Sequence, residues 1–214
     1  MLTVYGTPRS RTSVVLWLLR EMGMKYHHVD SPVSGEKNPE HLAVNPEGTM
    51  PTVKDDDFVM TESMAITFYL AKKYGGDLGP VDLQEEVKIL RWTMWAVADV
   101  DRHVVALVNA SGVDDNHPLD AEKYAEASAA LLKPLSRFDK KLGDREFLVG
   151  GRLTVADINV AFLLSFLLLL NYDLSGLPNV ERFMASMTNR DSFRSILAPT
   201  EEHVADALPA RAWQ

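Results

Sequence analysis

The chain has 214 residues, 46% of them hydrophobic and 24% charged, a composition that excludes a disordered chain and fits one large or two small folded domains. Asp and Glu number 30 against 22 Lys and Arg, so the formal net charge is -8 and nucleic acid is not expected as a partner. Cysteine is absent, which excludes disulfides and a protein thiol nucleophile. Any thiol chemistry must therefore use the sulfur of a substrate.

The N-terminal segment and the apolar segments give no sign of secretion or of membrane insertion. Met1 is followed directly by the strand-like residues 2–5 rather than by a basic and apolar leader, so we expect a cytoplasmic location. The long apolar run, residues 158–170, is interrupted by Ser165 and is shorter than the roughly 20 residues that span a bilayer. We expect it to form a buried core helix, and we expect no membrane partner.

The first part of the chain has the pattern of a small α/β domain, residues 1–76. Short apolar runs predict strands at residues 2–5, 26–29, 51–54 and 58–60. Longer patterns predict helices at residues 14–21, 39–44 and 64–74, with Ser63 as the N-cap of the last. The order βαβαββα with a parallel first strand pair predicts a thioredoxin-like fold around a mixed four-stranded sheet.

The second part of the chain reads as an all-helical domain, residues 83–214. Glycine and proline concentrate at residues 75–82, where we place the linker, and no strand-like pattern follows. Helices are expected at residues 84–109, 121–142, 153–170, 180–188 and 192–196. Pro134 is expected to kink the second of them. The tail, residues 199–214, is expected to pack loosely.

Two short segments of the first domain combine features of a binding site. Met50-Pro51 stands before a strand, and a cis bond there would leave the backbone N–H and C=O of Met50 free to pair with a peptide. Glu62 and Ser63 begin a helix, where a hydroxyl and free amides suit a carboxylate and the acid suits an ammonium group. An α-amino acid carries both charges. Taken singly, each segment also fits an ordinary strand-opening proline or an ordinary helix cap.

Together these segments resemble the glutathione transferase superfamily, and the resemblance covers nearly the whole chain. The stretches that carry it include Val4-Tyr5-Gly6-Thr7-Pro8, Asn45-Pro46-Glu47-Gly48, Phe147-Leu148-Val149-Gly150 and Leu153-Thr154-Val155-Ala156-Asp157. The first half is similar to bacterial, serine-type, theta-like and phi-like members. The resemblance implies a thioredoxin-like N-terminal domain, an all-α C-terminal domain and a homodimer. The last stretch resembles the family's helix capping box, formed by Thr154 and Asp157.

The resemblance also implies where the tripeptide glutathione binds as co-substrate. The implied residues are Lys37, Thr49, Met50, Pro51, Glu62 and Ser63. Met50 would bind the cysteinyl part through its backbone, and Glu62 with Ser63 would bind the γ-glutamyl end. Lys37 sits where some classes place a basic residue facing the glycine carboxylate, although a solvent-exposed loop lysine fits the sequence equally well.

Residues 8–13 lie where the family places the group that hydrogen-bonds the glutathione sulfur. Ser10 best resembles the catalytic serine of the serine-type members, although one residue of loop length separates the chain from the phi-like spacing. The alternatives are Tyr5, Thr12 and Ser13. The absence of cysteine excludes the cysteine-type classes. Arg9 and Arg11 would supply positive charge that favours a thiolate.

The first long helix of the second domain carries Trp92, Trp95, Asp99 and His103 within reach of one broad face. In the resembled family this segment lines an electrophile pocket, while core packing of the tryptophans is the competing interpretation. No metal site is expected from the spacing.

The function implied is that of a glutathione S-transferase, which stabilises the glutathione thiolate and transfers it to a hydrophobic small-molecule electrophile, as in detoxification. Two alternatives remain at this point. One is a glutathione-dependent peroxidase or disulfide reductase, and the other is a non-catalytic binding or regulatory module on the same fold. The presence of Met50-Pro51, Glu62 and Ser63 together favours the enzyme.

Overall fold

A computed structural model describes residues 1–8, 10–113 and 118–197 of the chain. These residues form two compact units. One holds Met1–Val81 together with the helix Asp191–Leu197, and the other holds Asp82–Arg190. The expected loose tail, residues 199–214, lies outside the described residues.

The first unit is built on a four-stranded mixed sheet, as the sequence predicted. Its strands are β1 (Leu2–Tyr5), β2 (His27–Val29), β3 (Thr52–Asp55) and β4 (Phe58–Met60), in the order β2-β1-β3-β4. Its helices are α1 (Thr12–Glu21), α2 (Pro39–Val44) and α3 (Ser63–Tyr74), followed by a 3₁₀ turn at Gly76–Leu78. β1 pairs with β2 in parallel and with β3 antiparallel, and β3 pairs with β4 antiparallel. This is the thioredoxin-like arrangement.

Residues 14–19 of helix α1 are all apolar and buried, because the helix is covered on more than one side within this unit. It packs against α3 and against the helix Asp191–Leu197, here α9. Trp17 is fully buried, its ring lies 4.8 Å from that of Phe193, and its Nε1 donates to Ser192 Oγ at 3.1 Å. A helix hydrophobic all round is stable only when it is enclosed in this way.

The C-terminal end of α3 is tied to the sheet through Asp55, a buried carboxylate at the end of β3. It accepts hydrogen bonds from Tyr69 at 2.9 Å, Lys73 at 2.7 Å and the Tyr74 hydroxyl at 2.9 Å. Burial alone would raise the pKa of Asp55, but these donors outweigh it and hold that pKa below its usual value. A buried charge is tolerated here because it is paired and hydrogen-bonded.

The second unit is all-helical. Its helices are α4 (Leu83–Trp95), α5 (Arg102–Ala110), α6 (Ala121–Leu142), α7 (Val155–Leu169) and α8 (Pro178–Thr188). The prediction of one α-helix over 84–109 was wrong, since the π-helical segment Ala96–Asp101 separates α4 from α5. Such a segment inserts an extra residue into the turn, which propensity and hydrophobic spacing do not reveal.

Helix α7 is the core of the second unit, as the apolar run predicted. Its residues from Val155 to Leu164 are buried, and it packs against α4, α5 and α8. No helix within residues 1–8, 10–113 and 118–197 is both long and apolar enough to cross a membrane.

The start of α7 is the expected capping box, with Thr154 at the N-cap and Asp157 three residues later. The fully buried Asp157 carboxylate accepts the Leu148 N–H at 2.7 Å, the Thr154 N–H at 2.8 Å and the Thr154 hydroxyl at 2.9 Å. Burial raises the pKa of Asp157 to about 6, against the opposing effect of these donors. The carboxylate therefore joins the preceding loop to the core helix.

Candidate functional site

One edge of the sheet gathers the segments singled out in the sequence. Tyr5 pairs with Thr52, and Val53 pairs with Met60, so both ladders end at the same edge. Continuing these two registers places Gly6, Pro51 and Glu62 next to one another there. The Met50–Pro51 bond is cis, one of the two alternatives that the sequence left open.

Gly6 allows the backbone to pass close to Thr12 and Met50 at this edge of the sheet. Its φ is +130°, and a Cβ built on it would lie 2.3 Å from Thr12 Oγ1 and 3.0 Å from Met50 Cβ. The first distance is far below a van der Waals contact, so only glycine fits. The backbone is held on both sides, since Gly6 N donates to Val29 O at 3.0 Å and Gly6 O bonds His28 Nε2 at 2.7 Å. Gly6 was not among the predicted site residues, although a glycine directly after the first strand was an available signal.

Two hydroxyls lie together at the start of α1. Ser10 Oγ is 2.8 Å from Thr12 Oγ1 and 2.7 Å from Thr7 O, and it accepts the Thr12 N–H at 3.1 Å. Ser10 is half-buried, whereas Thr12 is fully buried beside Gly6. Because a serine has one hydroxyl hydrogen, Ser10 can donate it to Thr7 O or to Thr12 Oγ1 but not to both at once. That hydrogen can be redirected to an anion placed at the helix N-terminus, where the helix dipole also favours negative charge.

The other two hydroxyl candidates have partners elsewhere. Ser13 Oγ donates to Pro8 O. Tyr5 is buried in β1, and its ring stacks on that of His41 with centroids 5.5 Å apart. Burial, the nearby Glu40 charge and a hydrogen bond to Glu40 raise the pKa of Tyr5. This geometry favours Ser10 and Thr12 over Tyr5 and Ser13 as the sulfur-binding group, an assignment that stays a prediction. Arg11 lies at the N-cap of α1, and Arg9 lies outside the described residues.

The loop before Met50 is held by buried polar side chains. Asn45 Nδ2 donates to Thr49 Oγ1 at 3.0 Å and to Thr52 Oγ1 at 2.9 Å. Thr52 Oγ1 donates to Thr49 O at 2.8 Å. Thr49, the residue before Met50, is itself exposed, and its hydroxyl accepts a hydrogen bond from the Asn45 amide.

Lys37 lies over the same loop. Its Nζ donates to Pro32 O at 2.5 Å and to Val33 O at 2.8 Å. A Cβ built on Gly48 would lie 3.3 Å from Lys37 Cγ, so the lysine stem crosses this glycine closely. The side chain is therefore packed along the loop rather than extended freely into solvent.

Glu62 and Ser63 stand at the start of α3, and the N-cap lies one residue earlier than predicted. The N-cap is Glu62, not Ser63, because Glu62 has φ +68° and ψ +106° while Ser63 is already helical. Such a backbone conformation is uncommon for a residue with a side chain, and strain of this kind concentrates at functional sites. The Glu62 side chain is exposed and Ser63 is buried. An acid and a helix N-terminus are thereby presented side by side.

The four candidate electrophile residues differ in how far they are exposed. Trp92 is buried and stacks edge-on with Trp95 at 5.5 Å, and both rings contact Phe138. Asp99 is exposed within the π-helical segment Ala96–Asp101. His103 is half-buried, and burial, together with the adjacent Arg102 charge, lowers the pKa of its imidazole against the opposing charge of Asp99.

Comparison with known proteins adds the decisive observation. Human glutathione S-transferase theta-2 is 32% identical over 195 residues, a match that covers 85% of this chain and 80% of that relative. The chain belongs to the glutathione S-transferase family. The family's N-terminal domain matches residues 1–72, and its C-terminal domain matches residues 100–191.

Two further relatives of the family support the assignment. Glutathione S-transferase D7 of Drosophila melanogaster is 30% identical over 193 residues, covering 86% of this chain and 82% of the relative. The theta class glutathione S-transferase of Xanthomonas axonopodis pv. citri, solved with glutathione bound, is 26% identical. It superposes with a TM-score of 0.78 over 97% of this chain and 98% of that one.

Proposed function

We propose that this protein is a glutathione transferase that binds glutathione, stabilises its thiolate and directs the sulfur to a hydrophobic electrophile. The observation that carries the proposal is the close approach of Gly6, Thr12 and Met50, with Ser10 hydrogen-bonded beside them. Residues 1–76 would bind glutathione, and residues 83–214 would supply the electrophile pocket, including Trp95, Asp99 and His103.

The charged groups and the peptide backbone of glutathione both have complementary partners at this edge of the sheet. The backbone of Met50, preceding Pro51, would pair with the cysteinyl residue. The γ-glutamyl end carries an ammonium and a carboxylate, for which Glu62 and the α3 N-terminus with Ser63 are complementary. Lys37 would face the glycine carboxylate, and Thr49 would contribute through its backbone.

The thiolate needs only modest stabilisation. A thiol with a pKa near 8.5 is about 3% ionised at pH 7, so half-ionisation requires roughly 2 kcal/mol. One hydrogen bond to a charged acceptor supplies about 1.5 to 3 kcal/mol. The hydroxyl of Ser10, with the N-terminus of α1, is sufficient. The mechanism would then be electrostatic stabilisation and proximity, without a covalent enzyme intermediate.

Replacing Ser10 by alanine is therefore expected to raise the pKa of bound glutathione by about 1 to 2 units, since a charge-assisted hydrogen bond is lost. Glutathione binding itself should change little. The measurement is ultraviolet difference absorbance of the thiolate against pH, with calorimetric titration of glutathione on the same sample.

Ser13→Ala is the matched control for Ser10→Ala, because its hydroxyl donates to Pro8 O, and it should leave the thiolate unchanged. Thr12→Val tests the neighbouring hydroxyl. An unchanged thiolate pKa in Ser10→Ala would remove Ser10 from this role, and a shift in Thr12→Val alone would transfer the role to Thr12. Absence of glutathione binding by the wild type would contradict the transferase proposal and favour an interaction module.

We also propose a homodimer in which the first domain of one subunit contacts the second domain of its partner. Exposed apolar side chains on both units support it: Leu83, Val87 and Met94 on α4, spaced as one helix face, and Phe58 on β4. Equilibrium sedimentation should give twice the 23.9 kDa chain mass. Val87→Asp should shift the equilibrium toward monomer because it buries a charge in the interface.

Leu132→Asp is the control for the dimer surface, since Leu132 is 50% exposed but lies on α6. It should leave the dimer intact. A wild-type species of 23.9 kDa at micromolar concentration would refute the dimer.

A further inference from the structure

His41 is a fully buried histidine on α2 whose two ring nitrogens both have hydroxyl partners. Nδ1 lies 2.9 Å from Ser31 Oγ, and Nε2 lies 3.1 Å from Thr52 Oγ1. Its ring stacks on that of Tyr5. Burying an imidazole costs free energy unless its nitrogens are satisfied, and an aromatic hydrocarbon would fill the same space without that cost. Stacking on Tyr5 therefore does not explain why a histidine occupies this position, whereas its two hydrogen bonds do.

The hydrogen bonds assign the ring tautomer. Thr52 has one hydroxyl hydrogen, and it donates that hydrogen to Thr49 O at 2.8 Å. His41 Nε2 must then carry the hydrogen that it shares with Thr52 Oγ1, and Nδ1 accepts from Ser31. In this neutral form every group in the chain of hydrogen bonds is satisfied. Burial, with the charge of Lys37, lowers the pKa of His41 against a hydrogen bond to the Thr49 backbone, in keeping with a neutral ring.

The chain of hydrogen bonds ends at the residue before Met50. His41 orients the Thr52 hydroxyl, and Thr52 fixes the carbonyl of Thr49, whose peptide bond continues directly into Met50. Asn45 Nδ2 donates to the hydroxyls of the same two threonines. The orientation of the Met50 backbone is thus set by α2 and β3 together.

We propose that His41 is a positioning residue for glutathione, holding Thr52 and Thr49 so that the Met50 backbone is presented to the cysteinyl part of the tripeptide. The inference rests on the proposed function. His41 acts through the loop and does not touch the substrate. Its loss should weaken glutathione binding while leaving the chemical step on bound glutathione nearly unchanged.

The test compares His41→Phe with His41→Gln. Phenylalanine keeps the ring that stacks on Tyr5 but removes both polar atoms, whereas the glutamine amide restores a donor near the position of Nε2. His41→Phe is expected to raise the glutathione Kd and KM about tenfold, the effect of one buried hydrogen bond, with kcat at saturating glutathione within about twofold. His41→Gln should recover most of the affinity. Calorimetric titration and steady-state kinetics give the two readouts.

A second pair of variants, at Thr52, tests the same hydrogen bonds in case the His41 variants do not fold. Thr52→Val removes the hydroxyl in place, and Thr52→Ser retains it, so only the valine variant should lose affinity. Tyr74→Phe is the control, because it removes a hydroxyl bonded to buried Asp55 in the same unit and should leave the glutathione Kd unchanged.

Three outcomes overturn the inference. Wild-type affinity in His41→Phe or Thr52→Val would show that the hydrogen bonds do not position the loop. Equal weakening in His41→Phe and His41→Gln would assign the effect to packing alone. If the wild type itself binds no glutathione, the proposed function fails, and this inference falls with it.

Discussion

Replacement of Asp157 by alanine is expected to lower the free energy of unfolding by about 3 to 5 kcal/mol, since each buried donor left without its acceptor costs about 1 to 3 kcal/mol. Two backbone N–H groups, of Leu148 and Thr154, lose their acceptor at once. The affected helix, α7, is the core of its unit. Urea denaturation followed by far-ultraviolet circular dichroism measures the loss.

Asp120→Ala is the matched control for Asp157→Ala. Asp120 caps α6 with the same chemistry, accepting the Lys123 N–H at 3.0 Å, but in an exposed position where water can replace it. Its loss should destabilise the chain much less. Equal effects of the two substitutions would contradict the importance of burial at Asp157.

The raised pKa of Asp157 also predicts the direction in which the folding stability changes with pH. Its folded pKa of about 6 lies above the ordinary value of 3.8, so the folded chain binds this proton more tightly than the unfolded chain. The resulting stabilisation is fully present below pH 3.8 and is lost as the pH rises through 6. The stability of the wild type relative to Asp157→Asn, which cannot titrate, should therefore fall by about 2 to 3 kcal/mol between pH 4 and pH 7. A rise over this range would contradict the assignment.

Gly6→Ala is expected to reduce glutathione affinity at least tenfold and to lower the free energy of unfolding by about 2 to 4 kcal/mol, combining backbone strain at positive φ with overpacking. The new methyl group would collide with Thr12 Oγ1 and crowd Met50. The backbone cannot retreat because it is hydrogen-bonded to Val29 and His28. Calorimetric titration and thermal denaturation measure the two effects.

Gly23→Ala is the control that separates the effect of backbone strain from the effect of the steric contact in Gly6→Ala. Gly23 has φ +63°, but a Cβ built on it meets no atom within 4 Å. This variant should lose stability through strain while keeping its glutathione affinity. Wild-type affinity in Gly6→Ala would show that the approach of Thr12 and Met50 does not form the binding site.

The sequence predicted most of the secondary structure because local signals agreed with the fold. Helix α6 was predicted with both of its bounds, and the strand β4 likewise. The failures occurred where tertiary packing overrides spacing. The π-helical segment Ala96–Asp101 left no mark in the hydrophobic pattern, and the positive φ of Glu62 moved the N-cap away from Ser63.

The sequence alone identified Met50-Pro51 and Glu62-Ser63 as candidate binding segments, but it did not show how they come together. Each of these segments consists of adjacent residues whose backbone and charged groups can be recognised directly in the sequence. The role of Gly6 depends on the distance to Thr12, and the role of His41 depends on hydroxyls ten residues before it and eleven after it. Such long-range relations have no local signature.

By itself the sequence determined the fold class, the absence of a protein thiol and the chemical groups available for an amino-acid end of a substrate. These follow from composition and from patterns within a few residues, which fix backbone preferences and charges locally. Only the tertiary structure decided which hydroxyls lie together at the start of α1, and which side chains hold the loop at Met50. Those choices depend on the register of β1, β3 and β4, because strand pairing brings residues distant in the chain to within hydrogen-bonding distance.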